Sequence, residues 1–313
     1  MRPILFSLHL ASHEIALPSY GALVAIGFAL GIVMFWRRGL RAGFDGGRLL
    51  DLAFWSIVFG LVGARLTFVI VNAHEFWDAC FAANAQATPD PHVSGCLAIV
   101  RFWEGGLVFY GGALGAGGVI YAFCRKERWS FLGLGDLAAA PVAWGHAFGR
   151  IGCFLAGCCY GKPSSLSWAA SFPPGSIAFD EEMAAGHLAF GASRTPGLHP
   201  TQIYESIGEF LLFGLLLFLE YRLPRDQRRE RRPGDLLFTY VAAYAALRFF
   251  VELFRGDGAR GFVFRWLCPR AAEWMGLPPG EPLLLSTSQL ARLLVIAGLA
   301  FVLHRRRNSS GPR

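Results

Sequence analysis

Three stretches hold charge where apolar neighbours should exclude it: Arg65 in GARLTF, Arg150 in FGRIGCF, and Arg248, Glu252 and Arg255 in LRFFVELFRGD. An arginine at the middle of a membrane span costs roughly 2.5–3.5 kcal/mol on insertion scales, so such residues usually face an internal polar site. Arg248, Glu252 and Arg255 are spaced i, i+4, i+7, which puts them on one helix face with Glu252 able to bridge the two arginines. Two readings stay open. One is a buried ion network that pins helices together. The other is a cluster with net positive charge that takes an anionic ligand, and a lipid phosphate fits the bidentate donors of guanidinium. Glu205, in HPTQIYES, and Arg292 are further charges at the edges of apolar runs.

Arg150 sits in GRIGCFLAGCCYGKP, which also holds Cys153, Cys158 and Cys159. C-x4-C-C is a poor zinc spacing, since structural zinc sites use tighter pairs, and it lacks the C-x-x-C of a thiol–disulfide exchanger. Small, part-apolar residues packing at a helix end, a disulfide and a metal site all stay open, the metal with the least support from spacing. Cys80 and Cys96 fall in one loop and can pair if that loop lies in an oxidising compartment.

The elements that must position these residues are apolar. The chain of 313 residues is 16% charged, against about 25% for an ordinary soluble domain, and its mean hydropathy is +0.42. With about 20 residues needed per crossing, seven spans are expected: Tyr20–Trp36, Leu49–Val71, Gly106–Phe123, Leu134–Leu155, Gln202–Leu219, Leu236–Phe254 and Ser286–Leu303. The loops after the first, third and fifth spans and the tail carry 17 Lys and Arg; the opposite side carries 8. The positive-inside rule makes the richer side cytoplasmic, with the N-terminus outside and the C-terminus inside. The net charge of +7 is therefore a topology signal, which argues against nucleic-acid binding.

The sequence thus reads as one all-α polytopic membrane domain over residues 1–313. Residues 1–19 form an outer interfacial arm, 20–155 the first four spans, 156–201 a small irregular periplasmic head, 202–304 the last three spans, and 305–313 a basic cytoplasmic tail. The first apolar run ends in Arg37–Arg38 without a small-residue cleavage site, unlike a signal peptide. WEGGLVFYGGALGAGG, from Trp103 to Gly118, has paired glycines that either let backbone approach a ligand or let helices pack closely.

Together these blocks resemble the prolipoprotein diacylglyceryl transferase family. The resemblance rests on Trp103-Glu104-Gly105-Gly106 with Tyr110-Gly111-Gly112 and Gly115, and on Gly149, Arg150, Gly152, Phe154 and Gly161. The blocks His199–Glu205 and Arg248–Arg255, Tyr20-Gly21 and Gly63–Leu66 extend it over nearly the whole chain. It implies transfer of a diacylglyceryl group from phosphatidylglycerol to the lipobox cysteine of a prolipoprotein, with release of glycerol phosphate. The setting is the bacterial inner membrane, with the site facing the outer leaflet, and no metal or organic cofactor is implied. By resemblance the catalytic residues are Tyr110, as proton acceptor or substrate orienter, Arg248 and Glu252. Arg150, Arg255, Arg65, Tyr20, Gly111, Gly112 and Gly161 bind phosphatidylglycerol. Cys153, Ala156 and Cys158 replace two asparagines and a glutamate of the family pattern, and Tyr110 stands where many members have histidine. Those departures leave open a paralogue with another acceptor or a lipid-binding scaffold, beside a small-solute transporter and a membrane redox protein.

Overall fold

The computed structural model describes residues 4–10, 13–74, 76–77, 99–102, 105–222, 232–256, 262–278, 280, 283 and 285–308. Cys80, Cys96, Trp103 and Glu104 lie outside the described residues. The chain divides into two compact units, Met1–Met34 with Gly135–Arg313, and Phe35–Leu134.

The first unit opens with β1 (Ile4–Leu10) and β2 (His13–Pro18), an antiparallel pair in which Leu8 faces Ile15 and Leu10 faces His13. Residues 4–10 and 13–18 of the expected arm thus form a hairpin, the two strands among otherwise helical elements in the described residues. The alternation of apolar and polar residues from Phe6 to Leu10 is the period-2 signal of a strand. Helix α1 (Ser19–Arg41) follows and ends in the second unit. Near its middle, a Cβ on Gly27 would come within 2.8 Å of Phe148 Cβ, so glycine sets the approach of α1 to α4 (Phe131–Ala156).

Three more helices complete the unit's bundle: α6 (Thr201–Arg222), α7 (Asp235–Glu252) and α9 (Thr287–Asn308). Ala139, Ala140 and Ala143 of α4 pack with Leu216 of α6 and with Leu236 and Tyr240 of α7. Asp136 of α4 caps α7 from outside: its carboxylate accepts from the N–H groups of Gly234 at 2.7 Å and Leu237 at 2.9 Å. That satisfies donors which a helix start otherwise leaves unpaired.

Between α4 and α6 the chain runs through a segment rich in proline and glycine. It contains α5 (Ile177–Ala184), capped by Ser176, over a core of Tyr160, Phe172, Ala178 and Leu198. After α7, the short α8 (Pro269–Trp274) packs Ala272 with Leu277 and Leu283.

The second unit pairs α2 (Gly46–Val71) with α3 (Phe109–Glu127). Their seam is built on glycine. A Cβ on Gly111 would collide with Thr67 Oγ1 and Gly63 O, and one on Gly115 with Phe59 O. At the other end Leu49, Leu52, Cys124 and Leu134 form the core.

Among the described residues, four helices are long and apolar enough to cross a membrane: Ser19–Arg41, Gly46–Val71, Thr201–Tyr221 and Thr287–Arg306. The other three expected spans are also helices, α3, α4 and α7. The protein is therefore a helical, multi-pass membrane protein.

Candidate functional site

The first unit gathers polar side chains from three helices around Glu205. The carboxylate is fully buried and projects from the second turn of α6. Its Oε1 lies 3.2 Å from Arg150 Nη2 of α4 and accepts from Tyr244 OH of α7 at 3.1 Å. Its Oε2 lies 3.8 Å from Arg248 Nη1, also on α7. Arg248 Nη2 lies 3.3 Å from Glu252 Oε2 one turn on, the i, i+4 pair the sequence predicts. One carboxylate thus holds two guanidiniums from different helices.

A second chain of contacts orients Arg150. Its Nε donates to His146 Nε2 at 3.2 Å, and His146 Nδ1 meets Glu209 Oε1 at 2.7 Å. With Nε2 accepting from arginine, Nδ1 is the nitrogen that donates to Glu209. Tyr240 OH also reaches Glu209, at 3.4 Å.

The sequence reading took Glu205 only as an edge charge and missed His146, Glu209, Tyr240 and Tyr244. A signal was available: His146 and Arg150, Glu205 and Glu209, and Tyr240, Tyr244, Arg248 and Glu252 each repeat at four residues, a polar stripe on an apolar helix. It also set Glu252, but neither Glu205 nor Glu209, against the arginines. The connected network holds Arg150 and Arg248 against Glu205, Glu209 and Glu252, so it has no excess of cations. What it does hold is directed donors. Arg248 Nη1 is buried and has no hydrogen-bond partner among the described residues, only the 3.8 Å ion pair. A buried donor in that state lacks its desolvation compensation until an acceptor arrives.

Arg255 differs from the expectation of a shared helix face. Helix α7 ends at Glu252, and Arg255 lies past the turn, in a bridge with Gly161. Gly161 is required there: a Cβ would stand 2.5 Å from His199 Cβ and 2.6 Å from Phe254 O. Lys162 N donates to Phe254 O at 2.7 Å, so the loop after α4 threads between the start of α6 and the end of α7.

The HPTQIYE block acquires a geometry from this threading. Thr201 Oγ1 donates to Cys159 O at 2.8 Å, and Gln202 Nε2 donates to Cys158 O at 2.7 Å. His199 is buried, with Nδ1 3.1 Å from Tyr204 OH, and burial pushes its pKa below the ordinary value. The three sulfurs of Cys153, Cys158 and Cys159 lie within 4.8 Å of one another. Of the two loop thiols, hydrogen bonds from the other cysteines and the charges of Arg255 and Arg150 pull Cys159 down, while the same cysteines push Cys158 up. Tyr20, at the start of α1, comes close to Gly152 and lies within electrostatic reach of this trio and of Arg150.

The second unit carries the other expected site residues. Arg65 is buried, and its guanidinium donates to the carbonyls of Ile99, Gly105 and Gly106 at 3.1, 2.8 and 3.1 Å, over the rings of Phe68 and Phe76. Those contacts give it a structural task, fixing the segment that leads into α3. Gly111 and Gly112 line the α2–α3 seam, which needs them whatever else they touch. Tyr110, in the first turn of α3, is 77% exposed.

A family profile described as prolipoprotein diacylglyceryl transferase matches residues 3–304. The chain belongs to the prolipoprotein diacylglyceryl transferase family. It is similar to a phosphatidylglycerol–prolipoprotein diacylglyceryl transferase of Clostridium tetani, 30% identical over 296 residues, covering 95% of this chain and 94% of the relative. A protein of Ruegeria pomeroyi with the same name is 30% identical over 322 residues, covering 98% and 96%. One of Clostridium perfringens, named phosphatidylglycerol–prolipoprotein diacylglyceryl transferase 2, is 30% identical over 281 residues, covering 90% and 87%. In this member of the prolipoprotein diacylglyceryl transferase family, the Arg150–Glu205–Arg248 bridge joins three of the sequence blocks that carry the resemblance.

Proposed function

We propose that the protein transfers the diacylglyceryl group of phosphatidylglycerol to the lipobox cysteine thiol of a prolipoprotein. A C–S bond forms at the glyceryl carbon, the C–O bond to phosphate breaks, and glycerol phosphate leaves with the displaced electron pair. Family membership supports the reaction class. The observation that carries the site is the pair of guanidiniums on Glu205, with Arg248 Nη1 buried and without a hydrogen-bond acceptor among the described residues. A phosphodiester oxygen supplies one. Arg150 and Arg248 then hold the headgroup and stabilise the charge that grows on the leaving phosphate. Glu205 and Glu252 fix the guanidiniums before the lipid arrives, and His146 with Glu209 orients Arg150.

The thiol must lose its proton, since the thiolate is the nucleophile. Tyr110 takes that role as proton acceptor or orienter, supported by the resemblance and by its accessible hydroxyl. Seven crossings, an outer N-terminus and a site toward the outer leaflet of the inner membrane are supported by the 17-to-8 distribution of Lys and Arg. Incubation of the purified chain with labelled phosphatidylglycerol and a lipobox peptide tests the reading. A labelled thioether is expected; phosphatidylglycerol left intact overturns it. Cys153, Ala156 and Cys158, in place of the family's polar residues, favour a second reading with a different acceptor. Label leaving phosphatidylglycerol without reaching the lipobox peptide selects that one.

A further inference from the structure

We propose that Cys153, Cys158 and Cys159 form a trithiolate site for a thiophilic d10 metal ion, with copper(I) as the best match. The proposal assigns these sulfurs no step in the transfer, and its test does not require transferase activity.

The three sulfurs converge from two elements. Cys153 is in the last turn of α4, and Cys158 and Cys159 follow on the loop, yet all three Sγ atoms lie within 4.8 Å of one another. All three are free thiols and only part-buried. With metal–sulfur bonds of about 2.3 Å, three sulfurs around one ion stand about 4 Å apart, so small side-chain shifts close the site.

The backbone is arranged for this convergence. Cys159 has φ +58°, one of two non-glycine residues in the left-handed region among those described. A residue with a Cβ is held there at a cost, on the order of 1–3 kcal/mol, only when its surroundings fix it. Those surroundings are Thr201 and Gln202, each 1% exposed, which clamp the carbonyls of Cys159 and Cys158. Cys158 N donates to Cys153 O at 3.1 Å, which ties the loop to the helix end. Packing of small thiols requires none of this, and a disulfide leaves one sulfur over.

The ligand set selects the ion. Among the described residues the group contains three sulfurs and no histidine or carboxylate. Soft thiolates favour copper(I) and zinc(II), and structural zinc almost always takes four protein ligands. Three-coordination therefore points to copper(I), with zinc(II) needing a water as its fourth ligand. On binding, three S–H bonds are replaced by three metal–sulfur bonds and three protons pass to water. The S–H contact from Cys158 to Cys153 O is lost in that exchange. Copper(I) with three thiolates carries a charge of −2, and Arg150 and Arg255 lie within electrostatic reach of Cys159 to offset it.

The test uses the full chain in detergent, reduced and freed of metal, then titrated anaerobically with copper(I) against a chelator and separately with zinc(II). One ion per chain is expected, with affinity falling at least a hundredfold in Cys153→Ser/Cys158→Ser/Cys159→Ser and persisting in Cys124→Ser/Cys268→Ser. Peptide-resolved alkylation of the unaltered chain supplies a readout that does not depend on a variant folding. Metal is expected to protect Cys153, Cys158 and Cys159 and to leave Cys124 and Cys268 unchanged. Equal metal uptake by the triple variant, absence of protection, or isolation of the chain with two of the three cysteines joined as a disulfide overturns the proposal.

Discussion

Glu205 Oε1 lies 3.2 Å from Arg150 Nη2, a contact between two different helices made deep in an apolar bundle. The same carboxylate also faces Arg248. Removing one partner of a buried ion pair leaves an uncompensated charge, and Glu205 has two such partners. Glu205→Ala is expected to lower stability by about 3–5 kcal/mol in denaturant titrations. Glu205→Gln, which keeps an acceptor oxygen, is expected to lose less. Equal stability of the alanine variant and the parent would show the network to be ornamental.

Gly111 belongs to the seam between α2 and α3. A Cβ there meets Thr67 Oγ1 and Gly63 O with no room to yield, because one obstacle is backbone. Gly111→Ala is expected to destabilise the protein by about 1–3 kcal/mol, the range for overpacking. Gly117, whose added Cβ would meet nothing within 4 Å, is the control, and its change to alanine is expected to leave the melting temperature intact.

His199 predicts a pH dependence. Burial lowers its pKa in the folded state below the unfolded value of about 6.5, so folding favours the neutral ring. The corresponding stability is fully present above about pH 6.5 and is lost as pH falls toward the folded pKa. Thermal melts from pH 8 to pH 5 are expected to show that decline, and His199→Gln to flatten part of it. A decline of the same size in the variant would assign the effect to other groups.

Tyr110 is exposed, so losing its hydroxyl leaves no buried partner unpaired. Tyr110→Phe is expected to keep the parent's stability and to lower turnover by about a hundredfold or more, the scale of a general-base contribution. Full turnover in this variant removes Tyr110 from the chemistry.

The helices were legible because apolar runs and basic loops are strong signals, and Arg150, Arg248 and Glu252 stood out as charges inside them. The hairpin at Ile4–Pro18 was harder to read, since two short alternating segments beside a long apolar run resemble an interfacial arm. Arg65 and Arg150 look alike in sequence, and the contacts of Arg65 with the carbonyls of Ile99, Gly105 and Gly106 join residues distant in sequence. The cysteine trio was ambiguous because C-x4-C-C spacing cannot reveal a left-handed turn at Cys159 that brings the sulfurs together. Glu209 and His146 show in sequence only as the i, i+4 partners of Glu205 and Arg150, and that stripe gains its meaning from the contact across helices.

The central claim is that Arg150 and Arg248, held by Glu205, grip the lipid phosphate. Thioether formation from labelled phosphatidylglycerol and a lipobox peptide, measured for Arg150→Gln/Arg248→Gln in preparations whose thermal melts show a folded protein, tests it most directly. A loss of about a thousandfold or more is expected, since a single donor to a developing anion is worth roughly 10²–10³ in rate. Thioether formation at the parent's rate would contradict the account.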